Sequence, residues 1–311
     1  MLHHTPHMQK LSLVCKALQK KHLVRLFTLV LHSSYSSHFK SNTNEILFLV
    51  DDVIAQLVIS QKRIRSISKL KEAGKYSFLK YQNAIIDFNR TYLKYRRQTK
   101  AQYEYIQIRK YLAGKRILDF GSGDGAFAQY LAKQGFDVWG TDVQDYRSSN
   151  TNDYHFFLTA SKKRSKNSLR KFDTTIVKSV FHHIEKDKLE RYLNQIYKET
   201  NDRLLIKEDI IVEKEMKELL HKKLNGVFSE LYSRLTTEEQ LEFLALMDYF
   251  GNCVVQGLWF INLPFNFNKI SYWKRILSKH KFTIKKVVPV FFDLNMLHPG
   301  PHIWLVCDVE K

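Results

Sequence analysis

The sequence predicts an α/β protein: an open, largely parallel sheet flanked by helices, ending in an antiparallel pair and preceded by a helical extension. Three observations predict it. A short apolar strand at 117–120 runs directly into a glycine loop and then into a helix pattern. Further apolar strand candidates follow, separated by amphipathic stretches, which is the alternation of a parallel sheet. After residue 281, two strand patterns are joined by a turn rich in proline and glycine.

The organising stretch is Arg116 to Ala126, RILDFGSGDGA. Glycine stands at 121, 123 and 125, and a helix pattern (Ala126, Phe127, Tyr130, Leu131) begins at once. Without a Cβ, glycine takes positive φ and lets the backbone lie against a ligand. The new helix points unpaired N–H groups into the same space. Gly121, Gly123 and Ala126 satisfy the dinucleotide pattern G-x-G-x-x-G/A, so the bare pattern leaves two cofactor classes open. Asp119 and the third glycine shift the reading. Leu118–Gly125, LDFGSGDG, resembles the first motif of class I S-adenosylmethionine-dependent methyltransferases. The next strand, Asp137–Asp142, ends in an acid 17 positions after Gly125. A carboxylate there accepts ribose hydroxyls, as in nucleotide-binding α/β folds generally. The bland alternative is a loop-capping Asp119 and a solvated Asp142; both acids at this spacing favour the ligand.

The resemblance covers roughly residues 112–311. It implies a seven-stranded Rossmann-like sheet, five parallel strands followed by an antiparallel hairpin, with S-adenosyl-L-methionine as cofactor. It implies that Gly121, Ser122, Gly123 and Gly125 cradle the methionine end, and that Asp142 takes the ribose. Asp119 either holds the loop or meets the methionine ammonium, and Val143 lies against the adenine. Dinucleotide dehydrogenases usually lack the closing hairpin, a second mark against NAD.

Taken in order, residues 1–44 contain no acid, six histidines and six Lys/Arg, and end Ser-rich. That composition fits an organelle-targeting segment, or a disordered or loosely helical extension. Residues 45–113 form a helical cap, basic and tyrosine-rich from 62 to 111. Aromatic and basic side chains interleaved on helices suit stacking on bases and neutralising phosphates; burial of the aromatics is the plainer alternative. Residues 114–311 are the cofactor-binding domain. Its third strand is expected at Tyr154–Leu158, followed by a basic loop at Thr159–Lys171. That loop lacks the acid with which family members often meet the adenine amino group, so Ser161 or backbone groups would serve instead.

The fourth strand and its exit, Phe172–Ile184, bring Ser179, His182 and His183 beside the glycine loop, at the switch point of the sheet. Ser179 then lines the cofactor. His182 and His183 line the pocket or act as base, histidine being suited to take a proton near neutral pH. Lys186–Thr200 is an amphipathic helix, and Arg203–Asp209 a fifth strand ending in Glu208 and Asp209. Those two acids either hydrogen-bond a substrate or serve as caps or solvent-facing groups. Residues 210–251 read as helical, with a capping box near Thr236 and a stop at Gly251. The aromatic segment 257–266 resembles a substrate lid. A helix at Ser271–Ser278 and strands Phe282–Val288 and Ile303–Val309 complete the fold. His298 and His302 flank prolines and read as turn residues, and no metal site is expected.

Charge sharpens the partner question. Lys and Arg outnumber Asp and Glu by 20 to 6 over residues 1–113, but by only 30 to 25 over 114–311. The basic character therefore belongs to the amino-terminal third. A small-molecule acceptor, methylated at O, N or C, is the first reading. An RNA or protein methyltransferase using residues 62–111 is the second, and a non-catalytic cofactor-binding protein the third. The signature of amino-directed nucleic-acid enzymes is absent after the fourth strand, where Lys178-Ser179-Val180-Phe181 stands. Three scattered cysteines suggest a reducing, cytoplasmic setting, and no apolar run is long enough to span a membrane.

Overall fold

The computed structural model describes residues 6–40, 43–61, 72–76, 79, 86–147, 153–159, 171–213, 227–258 and 261–310. The expectations for Lys62–Arg65, Tyr81, Ser161, the basic loop at 160–170, Trp259 and Phe260 fall outside them. Two compact units emerge. One comprises Leu93–Glu208, Ser271–Pro289 and Ile303–Lys311; the other comprises Met1–Tyr92, Asp209–Ile270 and Val290–His302.

The sheet runs in the order β3-β2-β1-β4-β5-β8-β7. Its strands are β1 (Arg116–Phe120), β2 (Asp137–Asp142), β3 (His155–Leu158), β4 (Phe172–Lys178), β5 (Thr200–Ile211), β7 (Phe282–Phe291) and β8 (Pro301–Val309). The two-residue β6 (Asn268–Lys269) pairs with the end of β5 at Ile210 and Ile211. β1 to β5 are parallel. The hairpin is antiparallel: the Glu310 N–H donates to the Lys281 carbonyl at 2.9 Å, beside the start of β7. After β3 the chain crosses to the other side of β1, so the carboxyl ends of β1 and β4 form the switch point where such sheets bind ligands.

The strands are as apolar as parallel strands covered on both faces must be. Ile117, Leu118, Ile176, Val177 and Leu204–Ile206 are fully buried. The helix Lys186–Glu199 buries Leu189, Leu193 and Ile196 at helical spacing against this layer. On a helical stretch that reaches Ile108, Tyr95–Lys100 forms a π turn and Ala101–Ile108 returns to α-helix. The latter buries Ala101, Glu104 and Ile108, one face of the helix.

Glu104 is the unusual member of that face. Lys178, the last residue of β4, and Lys207, within β5, are register partners. Glu104 accepts from Lys178 Nζ on Oε2 at 3.0 Å and from Lys207 Nζ on Oε1 at 2.8 Å. All three side chains are largely buried. Burial opposes the Glu104 charge, yet Lys178, Lys207 and Lys100 together hold its carboxyl well below the usual range. The helix is thereby fastened over the carboxyl edge of the sheet.

The other unit is built on amphipathic helices. Pro6–Gln19 and Lys21–His38 are helical, and Leu23, Phe27, Val30, Leu31 and Tyr35 are fully buried. Along Lys21–His38 the apolar residues recur at helical spacing, which gives the segment a core to join. Lys16 and Lys20, one turn apart, pair with Glu238 and Glu242, one turn apart on the helix Thr237–Tyr249. That helix starts with the capping box Thr236–Glu239. Gly251 does not end it. The chain passes into a π turn, Phe250–Val255, and Gly251 lies buried inside it without positive φ. Residues 210–211 belong to β5 rather than to a helix.

Removing the Glu104 charge leaves two buried ammonium groups uncompensated. Glu104→Gln is expected to lower stability by about 3–5 kcal/mol in urea titration. The triple change Glu104→Leu, Lys178→Met, Lys207→Met is expected to recover most of that loss.

Candidate active site

β1 delivers the chain into the glycine loop at Phe120, and β2 holds the loop in place. The N–H groups of Gly121 and Ser122 both donate to the Thr141 carbonyl, at 2.8 and 3.0 Å. The Gly123 N–H donates to Asp142 Oδ2 at 2.8 Å, while the Val143 N–H occupies Oδ1 at 2.7 Å. Burial raises the Asp142 carboxyl, and these two N–H groups oppose the rise. Gly121, Gly123 and Gly125 all have positive φ. Two of these positions explain the residue type. A Cβ on Gly121 would lie 2.3 Å from Val180 Cγ2, so the loop and the segment after β4 touch here. A Cβ on Gly123 would meet nothing within 4 Å, so this glycine faces open space, where a ligand can reach the backbone.

Asp119 is fully buried, and among the described residues neither carboxylate oxygen has a hydrogen-bond partner, in the loop or elsewhere. The register gives the reason: its neighbours are Gly140 on one strand and Ile176 on the other, and neither side chain is a donor. Burial pushes the carboxyl up to about 6, with Lys178 opposing the rise. Ser122 Oγ and the Tyr154 hydroxyl are likewise buried without a partner among the described residues; Ser122 Oγ and the edge of the Tyr154 ring both lie against Gly140, and the hydroxyl itself lies against Gly125. Tyr154 carried no site expectation, since a tyrosine ahead of a strand reads as packing. Val143, just past Asp142, is 63% exposed.

The exit of β4 is the second half of the site. Ser179 is exposed and has a φ of 52°, a left-handed conformation that non-glycine residues adopt at a cost of order 1–3 kcal/mol. Its N–H donates to the Lys207 carbonyl at 2.8 Å. Phe181–His183 forms a single tight turn, with His182 buried and its ring 4.1 Å from that of His183. Glu208 from β5 holds this turn. Its Oε1 accepts the N–H groups of Val180 and Phe181, at 3.0 and 2.8 Å, and its Oε2 lies 2.5 Å from His182 Nδ1. The sequence marked Glu208 and Asp209 as a pair, but the structure separates them. Glu208 is buried in this network, whereas Asp209 lies 2.7 Å from His302 Nδ1 in the other unit.

Residues 94–228 match the family model described as a methyltransferase domain. The chain carries a methyltransferase domain. A domain of this kind takes S-adenosylmethionine as its methyl donor. Among curated proteins no match was found. Solved structures similar to this methyltransferase include magnesium protoporphyrin IX methyltransferase from Synechocystis PCC 6803 with bound SAH. It is 15% identical, with 70% of this chain and 84% of that chain covered and a TM-score of 0.41. Mitomycin 7-O-methyltransferase is 12% identical, with 65% and 52% covered and a TM-score of 0.39. A TehB-like SAM-dependent methyltransferase from Corynebacterium glutamicum ATCC 13032 is 17% identical, with 67% and 87% covered and a TM-score of 0.38.

The electrostatics of the methyltransferase cradle give a sign that experiment can check. Asp119 binds its proton more tightly folded than unfolded, its carboxyl moving from 3.8 to about 6. Its favourable contribution is therefore present below the unfolded value and is lost as pH rises through about 6. Above that, the ionised group costs on the order of 3 kcal/mol. Asp119→Asn should thus match wild type near pH 4 and exceed it by roughly 2–3 kcal/mol at pH 8 in urea titrations without ligand. Gly121→Ala is expected to lose several kcal/mol, because the added methyl meets Val180 and the left-handed φ is strained as well.

Proposed function

We propose that this methyltransferase transfers a methyl group to a small molecule whose accepting atom gives up a proton, a hydroxyl group in the first instance. The observation that supports it is the His182–Glu208 pair, buried on the turn whose Val180 abuts the glycine loop. With Nδ1 engaged by a carboxylate, the ring is fixed in orientation and its Nε2 is the nitrogen that takes a proton. The carboxylate then stabilises the imidazolium that forms. A buried carboxylate holding both the backbone turn and the ring keeps the base in one position, which proximity catalysis requires.

The residues present fit the cofactor. Gly121, Ser122, Gly123 and Gly125 hold its amino-acid end. The unpartnered Asp119 carboxylate receives the ammonium. Both Asp142 oxygens keep accepting capacity beyond the one N–H each already takes, which suits two ribose hydroxyls. Exposed Val143 offers an apolar surface to the adenine, and Ser179 lines the methyl end. When bound, the cofactor supplies a methyl group already activated on a sulfonium, so the chain need only align the acceptor and take its proton. His183, its ring tilted against that of His182, lines the acceptor side.

The tyrosine-rich helices support a small acceptor over RNA. Phe88, Tyr92 and Tyr95 are buried, so they pack rather than offer faces to bases. A reducing, cytoplasmic compartment fits three cysteines, Cys15, Cys253 and Cys307, that form no disulfide among the described residues.

In an assay of S-adenosylhomocysteine release across a panel of phenols and alcohols, His182→Ala is expected to lower kcat by about 10²–10⁴ with cofactor affinity unchanged. Glu208→Gln should lower kcat less than His182→Ala does. A His182→Ala enzyme with wild-type turnover would remove the base assignment.

A further inference from the structure

We propose that Lys100 is a cofactor-recognition residue, its ammonium receiving the carboxylate at the amino-acid end of the methyl donor. The proposal rests on the cofactor reading above.

The first support is position. Arg96, Lys100 and Glu104 recur at four-residue spacing along one helix face. At one end, Arg96 pairs with Asp124 of the glycine loop at 3.2 Å. At the other, Glu104 binds Lys178, at the end of β4, and its register partner Lys207 in β5. Lys100 therefore stands between the loop contact and the strand-end contact, over the carboxyl ends of the strands that carry the cradle. It is also the last residue of the π turn Tyr95–Lys100, a local widening often found at functional sites.

The second support is the state of its charge. Lys100 makes no hydrogen bond or ion pair among the described residues. Both oxygens of its neighbour Glu104 are taken by Lys178 and Lys207. Burial pushes the Lys100 ammonium down to about 8; Glu104 opposes this, while Lys207, Arg96 and Lys178 add to it. A partly buried cation among other cations, with its nearest carboxylate already occupied, calls for an anion from outside the chain.

The third support is complementarity. An amino acid brings an ammonium and a carboxylate joined through one carbon. The cradle offers an unpartnered carboxylate, Asp119, and the neighbouring helix brings the half-buried Lys100, which has no hydrogen bond or ion pair among the described residues; both feel the charges of Lys178 and Glu104. The other acids around Asp119 are Asp142 and Asp124; the first is held by the loop N–H groups and the second by Arg96. Each buried charge that is a burden without ligand is neutralised by one end of a zwitterion.

The test is calorimetric titration of the full chain with S-adenosylhomocysteine and, separately, with 5′-methylthioadenosine, which lacks the amino-acid end. Lys100→Met should weaken the first by about tenfold or more and the second by less than about twofold. Because Lys100 has no protein partner to orphan, the variant should fold. Wild-type affinity for S-adenosylhomocysteine should fall as pH rises above about 8. Lys100→Arg, which stays charged, should keep the affinity and lack most of that fall. Equal binding of S-adenosylhomocysteine by wild type and Lys100→Met would overturn the proposal, and so would equal losses for both ligands. Wild type binding neither ligand would instead overturn the cofactor reading beneath it.

Discussion

The geometry of the site depends on the splice between the exits of β1 and β2. Three successive loop N–H groups, from Gly121, Ser122 and Gly123, end on the Thr141 carbonyl or the Asp142 carboxylate. A loop that must leave its backbone facing a ligand cannot satisfy itself as a helix or strand does, so the neighbouring strand end satisfies it. Asp142 thereby has two tasks, fixing the loop and presenting its remaining acceptor capacity outward. Because the loop is held from β2, Asp119 is released from loop-holding and remains unpaired.

Buried charge organises the rest of this unit. Glu104 and Glu208 are fully compensated, the first by two lysines and the second by two backbone N–H groups and His182. They fasten a helix and a turn to the carboxyl edge of the sheet. Among the described residues, Asp119 and Lys100 have no hydrogen-bond or ion-pair partner. Compensated groups give rigidity, and uncompensated ones lower the stability of the unliganded state in a way a ligand of matching charge reverses. The same edge thus holds its scaffold and remains receptive.

The legible part of this architecture was local. The glycine loop, the acid closing β2, the strand succession, the hairpin and the capping box at Thr236 all follow from signals within a dozen residues. Long-range roles were not legible. Glu104 reads as one acid in a basic helix, because its partners lie 74 and 103 positions away. Glu208 and Asp209 look alike as neighbours, yet successive strand residues point to opposite faces and meet different partners. Asp119 was placed correctly on the strand, but its unpaired state depends on Gly140 and Ile176, which only the sheet register brings beside it. Gly251 was misread as a stop because glycine usually ends a helix by taking positive φ, and here the widened turn accommodates it.

The most direct test of the central claim is calorimetric titration of the 311-residue chain with S-adenosylmethionine and, in parallel, with NADH. The account predicts binding of S-adenosylmethionine and none of NADH, since the glycine pattern alone admits both and the proposed task of Asp119 is to receive an ammonium. Binding of NADH, or of neither ligand, would contradict it.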